Sequence, residues 1–500
     1  MKHPIIYTIL LLLLTACTKK PGSEVDIIDR AAPIYPDYAD VTIPVNIAPL
    51  NFLVRDAQCE AVQATVAPAD APSEPLLTVN ANGCEVVFGM KEWKTLMEQA
   101  AGKTLTVTLT TLTDGRWTQF KSFTWQVVAD KVDPILTYRL IEPDYEVWSN
   151  VEIWERNVEN FDERTISSYR KVGDRCMNCH TFSNQDPTLS MLYVRGEGGG
   201  AILNRDGKLS KLALKADDMV SGSVYFGFSP TGRYITFSTN IIIPAFHARP
   251  DKRLEVYDSK SDVYVADLQS HTFLRSPLLA DSLAFETFPT FSPDGKYIYY
   301  CSAPRVTLPE ELEKLQYSLC RITFDEQTGT IGTLVDTLRT TPFGELAASS
   351  GHPQQLKTSV CHPRISPDGH WLLYTVAYYG TFPIWHPEAD LRMMNLTTGE
   401  VLTLDIVNSA KSDTYHSWSS GSRWFVFASK RDDGLYGKPY FCYVDADGRA
   451  HKPFCLPQKE PSRYDNMLKS FNAPELGRAP LPFTDSDVAD AMEQEPIIYQ

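Results

Sequence analysis

Basic charge is scarce in this 500-residue chain: 47 Lys and Arg stand against 62 Asp and Glu, a net charge of −15. No cluster of Lys or Arg offsets the deficit, and an acidic surface repels phosphate backbones, so nucleic acid is excluded as an expected partner. Long apolar runs are missing too. The stretch from Ile5 to Leu14 is too short to cross a bilayer as a helix. No Gly-x-Ser-x-Gly elbow occurs, and residues 456–500 are too few for a hydrolase domain beyond the last strand pattern. Gly196-Glu197-Gly198-Gly199-Gly200 has no helical pattern after it, so it reads as a hairpin loop and not as a phosphate cradle.

What is present begins with an address. Met1-Lys2-His3 precedes the apolar run, which ends in Leu14-Thr15-Ala16-Cys17, and this predicts a signal peptide over residues 1–17. The last four residues resemble a bacterial lipobox, which implies a diacylated Cys17. Thr18, not Asp, follows it, so outer-membrane sorting is expected, with residues 18–40 as a polar tether. An exported chain meets an oxidising compartment. With Cys17, Cys176 and Cys179 set aside, seven cysteines remain. Proximity suggests Cys59–Cys84, Cys301–Cys320 and Cys442–Cys455 as disulfides with Cys361 over, a connectivity that spacing alone does not fix.

Aromatic residues make up 11% of the chain, a lean towards β structure. Thr104-Leu105-Thr106-Val107-Thr108-Leu109-Thr110 alternates as a strand with one buried face does. With further strands near 51–54, 84–88 and 120–128 and a short helix over 91–99, residues 41–130 are expected to form an immunoglobulin-like β-sandwich. Its role is a spacer, or else a binding module.

The most specific motif is Cys176-Met177-Asn178-Cys179-His180. Two cysteines three apart with histidine directly after the second is the spacing of covalent c-type haem attachment: each thiol forms a thioether and the imidazole ligates iron. A local disulfide, a redox-active dithiol and part of a zinc site fit the same residues.

An internal repeat sets the architecture. Phe228-Ser229-Pro230-Thr231-Gly232-Arg233-Tyr234-Ile235 recurs from Phe291 and from Ile365, with a worn copy from Trp418; the starts lie 63, 74 and 53 residues apart. Pro presets the turn, Asp caps it, and Gly takes the left-handed conformation that returns the chain. Each copy leads into an aromatic, β-branched strand and then a second strand pair, so one repeat makes one four-stranded blade. These motifs resemble the TolB-like β-propeller repeat over about 180–455. Lipobox, small β-domain, Cys-x-x-Cys-His and propeller together resemble bacterial lipoproteins described as TolB-like or cytochrome c-related. The resemblance implies an all-β chain with a propeller over 135–455, six blades preferred and five or seven possible, and a C-terminal tail over 456–500 that wraps the propeller or is partly disordered.

Aligned on the turns, His180 stands where His416 stands, one residue from the place of His362. Inner strands of a propeller ring its channel mouth, so these imidazoles are expected to converge there. The reading is haem c on Cys176 and Cys179 with His180 proximal, His416 first and His362 second for the opposite axial position, and His247 and His386 in insertions as weaker candidates. No helical domain surrounds the motif, so a distal methionine, Met191 or Met219, is not expected. The function that follows is electron transfer or partner binding in the cell envelope. The different-class alternative is an interaction scaffold with Cys176–Cys179 as a plain disulfide. A metal-dependent hydrolase using His180, His362 and His416 is third and lacks an evident general base.

Overall fold

The computed structural model describes residues 18–56, 58–142, 150–249, 252–338 and 359–500. Cys17 with its lipobox lies outside the described residues, as do the side chains of Cys179 and His247. Among the described residues no helix is long and apolar enough to cross a membrane.

Strands dominate from the start. Alternation in Thr104–Thr113 and Ala61–Pro68 buries Leu105, Val107 and Leu109 against Val62, Ala64 and Val66. These two strands centre a seven-stranded sheet, which faces a three-stranded one. The helix Met90–Ala100 puts Trp93, Leu96, Met97 and Ala100 on one stripe and buries it against the seven-stranded sheet, where the Trp93 and Trp125 rings lie 5.6 Å apart. The segment expected to be a tether is partly sheet. Asp26–Ala31 pairs in parallel with Arg116–Lys121, and Ile34–Tyr35 pairs with Phe52–Val54, so this unit starts before residue 41.

Beyond Asp133 the chain builds six sheets in a propeller-like ring: four are four-strand meanders, the second is such a meander with Ile497–Ile498 added at its edge, and the first is completed from the tail. The inner strands are Met177–Ser183, Ser223–Phe228, Ala284–Phe291, Ser359–Ile365 and Asp413–Trp418 for the second to sixth blades. The first blade takes Ile135–Ile141, Glu152–Asn157 and Glu163–Ser168 from before the motif and its inner strand, Ser470–Gly477, from the C-terminal tail. Each inner strand touches the next, and Ser470–Gly477 touches both Asp413–Trp418 and Met177–Ser183. The tail therefore closes the ring. Its helix Asp485–Met492, started by a Thr484/Asp487 capping box, buries Val488, Ala491 and Met492 between Ile153 and Ile166 of the first blade and Leu192 and Ile202 of the second. At roughly 1.5–3 kcal/mol for a large buried side chain, Val488 and Met492 alone make this seam expensive to open.

The turn logic is realised atom by atom. In the fourth blade Ser292 Oγ donates to Asp294 Oδ1 at 2.6 Å, the Lys296 amide donates to the same carboxylate, and Gly295 has φ +70°. Ser366, Asp368 and Gly369 repeat this in the fifth. In the worn copy the left-handed residue is Ser422, not Gly421: the Ser422 amide donates to the Ser419 carbonyl as that of Gly295 does to Ser292.

The two β-units are joined as one packed body. One apolar cluster runs from Trp93 and Trp125 to Phe441 and Phe454 of the sixth blade, Trp424 Nε1 donates to the Asp130 carbonyl at 2.9 Å, and Asn51, 1% exposed, donates to the Gln458 carbonyl at 3.0 Å.

Candidate functional site

Counting back from the turn motif gives each inner strand a common address. The residue three before the motif is Tyr225, Phe288, His362, Tyr415 and, in the first blade, Ala473, and all five have φ between +45° and +54°. Each sits where the ladder skips a residue, a bulge that swings the side chain towards the axis. The rings meet there: Tyr225 to Phe288 at 4.3 Å, Phe288 to His362 at 4.0 Å, His362 to Tyr415 at 4.6 Å. Aromatic pairs of this kind contribute about 0.5–1.5 kcal/mol each beyond burial, so the channel is stoppered partway along by a layer that also holds the ring together.

The residue one before the motif is Thr181, Gly227, Thr290, Arg364, Ser417 or Glu475. Side chains two apart on a strand share a face, so this layer lies over the stopper. It walls a cavity of about 390 Å³ that opens at the turn end of the ring. Glu475 accepts from Thr181 Oγ1 at 3.3 Å and from the Phe182 amide at 3.0 Å. Burial pushes its carboxyl up to about 7, against the pull of the nearby Arg364 charge. Arg478, at the rim, holds Asp186 at 3.1 Å.

Histidine placement differs from the expectation of convergence. His416 points into the seam between fifth and sixth blades, where Nε2 meets the Leu373 carbonyl at 2.9 Å. His180, at the equivalent address, points into the seam between first and second blades, beside the backbone of Thr137 and Ala473. Equivalent positions on successive blades face equivalent seams and not each other, because rotation about the ring axis relates them. Only His362 joins the axial layer. Burial holds His180 and His416 down to about 3 and His362 well below its ordinary value, with Arg364 and Arg139 adding positive charge around His180 and His362. His386 is tied to Glu388 at 2.9 Å and lies 3.7 Å from Glu255, a loop-holding role. Among the described residues no three His, Cys, Asp or Glu side chains are grouped to hold a metal ion.

A haem does not fit the residues as they pack. Neither ring nitrogen of His180 reaches a partner at full hydrogen-bond geometry, although the backbone of Thr137 and Ala473 lies beside the ring. The space beside that ring, walled by Ile153, Ile166, Phe182 and Phe483, amounts to about 10 Å³, room for about one water. Met177 is fully buried and Cys176 is 8% exposed, so these two residues of the motif face packed side chains. A porphyrin there would have to part the first and second blades.

The pairing of Cys301 with Cys320 needs correction. Cys301 stands opposite Leu319 and Cys320 opposite Tyr300, so the two thiols project from opposite faces of the fourth blade into different clusters. Cys442 and Cys455 are separate thiols, the former donating to the His451 carbonyl at 3.3 Å. Cys59 and Cys84 are neighbours, as their spacing suggested, with Cys84 Sγ donating to the Cys59 carbonyl at 3.2 Å. Cys361 is buried and its thiol donates to the Thr375 carbonyl at 3.9 Å.

Sequence reasoning missed Arg364 and Glu475. Arg364 sat in plain view before the third motif copy. Glu475 lies in the tail, where Leu476-Gly477-Arg478 keeps the strand end but not the Ser-Pro-Asp-Gly signal.

No family model matches the chain, and no curated protein matches it. Among solved structures it is similar to the Porphyromonas gingivalis dipeptidyl peptidase 4, at 8% identity over 86% of this chain and 61% of that one, TM-score 0.30. It is also similar to an ancestral GH74 enzyme, at 10% identity over 70% of this chain and 55% of that one, TM-score 0.29. A DUF4784 family protein from Bacteroides caccae is similar at 8% identity over 75% of this chain and 95% of that one, TM-score 0.28. At these scores the likenesses carry no argument, and the propeller-like, all-β description rests on the strand pairings themselves.

Proposed function

We propose that this chain is an exported binding protein of the cell envelope, lipid-anchored at Cys17, whose six-bladed TolB-like propeller presents its channel mouth to a partner while the N-terminal sandwich serves as spacer. The observation that carries this reading is the cavity of about 390 Å³ at the turn end of the ring, closed below by the aromatic layer and walled by one residue from each inner strand. Ligand sites of about 300–1,000 Å³ sit in such concave places. The lipobox residues Leu14-Thr15-Ala16-Cys17 support the anchor.

A photoreactive residue placed at Asn184, exposed at the mouth, tests it in the native envelope against one at Leu334, which is 82% exposed on an outer strand. A discrete crosslinked product is expected from Asn184 and none from Leu334; equal yields from both sites would overturn the reading. The purified chain is expected to carry lipid at Cys17 and no covalent haem. A haem-stained band that disappears in Cys176→Ala would put the electron-carrier reading in its place.

A further inference from the structure

We infer that the channel-mouth cavity takes a ligand bearing a free carboxylate, with the Arg364 guanidinium as its charged anchor. This rests on the binding reading above and names the chemistry of its site. Arg364 lies on the cavity wall, half-buried, and its guanidinium makes no hydrogen bond or ion pair among the described residues. A guanidinium keeps its charge at every physiological pH and offers five N–H donors in a planar fork, so on a cavity wall it is a ready partner for a planar anion.

The other charges of the cavity are already engaged. Arg478 is drawn to Asp186 at the rim, and Glu475 is committed to Thr181 and the Phe182 amide. Because burial raises Glu475 to about 7, it is only a partial counter-charge to Arg364. What is left over is one positive fork facing open space, with the hydroxyls of Thr290 and Ser417 on the same wall. The Ser417 oxygen accepts from the Leu476 amide at 3.1 Å, which leaves its O–H to donate. A planar, singly charged carboxylate matches this set: two oxygens for the fork, further lone pairs for the hydroxyls. A phosphate would bring a second negative charge beside Glu475 with no cation to meet it.

Calorimetric titration of the full-length protein in detergent tests the inference, with N-acetyl-dialanine, succinate, the amide of each, and inorganic phosphate as probes. At least one of the two acids is expected to bind, its amide at least tenfold more weakly, and Arg364→Gln to lose at least tenfold in affinity for the acid. A preference for the dipeptide assigns a chain end as source, and a preference for succinate a free acid; either supports the inference. Should Arg364→Gln fail to fold, Arg364→Lys, which keeps the charge without the fork, is expected to weaken binding several-fold. Equal binding of acid and amide, undiminished binding in the variant, or binding of phosphate alone overturns it. Crosslinking at Asn184 that persists without any carboxylate binding removes this inference and leaves the docking reading standing.

Discussion

Burial moves two sets of titrating groups in opposite directions, and stability against pH follows from their signs. Asp258 and Glu475 are raised to about 7 and Glu286 to about 8, each chiefly by desolvation. Their neutral forms favour the fold, so stability drains away as pH rises from the unfolded carboxyl value, about 4, through 7 and 8. His180 and His416 are lowered to about 3, so they withdraw stability as pH falls from about 6.5 towards 3. Between about 4.5 and 6.5 the two sets oppose each other. Urea midpoints are therefore expected to be flat in that interval and to decline from pH 6.5 to 8.5, with the decline shallower in Glu286→Gln; a midpoint that rises over that range would refute the assignment. None of this could be read from sequence. Asp258 and Glu286 carry no motif, and their shifts come from neighbours in other strands. The histidine addresses were legible, but not that one position of offset separates a seam-facing ring from an axial one.

Among elements, the turns were the most legible part, because Pro, Asp and Gly act locally and need no knowledge of the rest of the chain. The left-handed positions make the argument quantitative. A Cβ on Gly295 would sit at φ +70° and 2.6 Å from a Glu326 oxygen, whereas one on Gly421 meets nothing within 4 Å at an ordinary φ. Gly295→Ala is expected to cost about 1 kcal/mol or more, and Gly421→Ala to be neutral or to stabilise by up to about 1 kcal/mol. Thermal melts of the two variants check this, and equal effects would show that Gly421 and not Ser422 holds the left-handed place. Disulfide pairing was the least legible. Adjacent strands were guessed correctly for Cys301 and Cys320, but alternation sends a residue and its off-register neighbour to opposite faces.

At the scale of the molecule, the repeat indicated a ring but not its closure. Residues 135–168 supply three strands of the first blade, one short of the others, and the missing inner strand is held in Ser470–Gly477. A tail with Pro474 in its middle and no turn motif offered no local signal for that role; it was set by the partner edge it completes. Ending the chain at residue 469 is expected to abolish cooperative unfolding and expose the first blade to protease. Ending it at residue 495 removes the added pairing of Ile497–Ile498 with Leu212 and Ala213, the buried Tyr499 ring against Phe273 and the Gln500 backbone bonds to His271 and Phe273, but leaves the inner strand, and is expected to lower the melting temperature while keeping a cooperative transition. A cooperative, near-native melt of the shorter chain would count against closure by the tail.

The layer formed by Tyr225, Phe288, His362 and Tyr415 has a consequence for traffic through the molecule. It makes the central bore a cul-de-sac: whatever enters beside Arg364 leaves by the same door. The long hairpin Tyr234–Arg249 and Lys252–Asp267 runs from the turn end towards the opposite face, which this layer separates from the cavity.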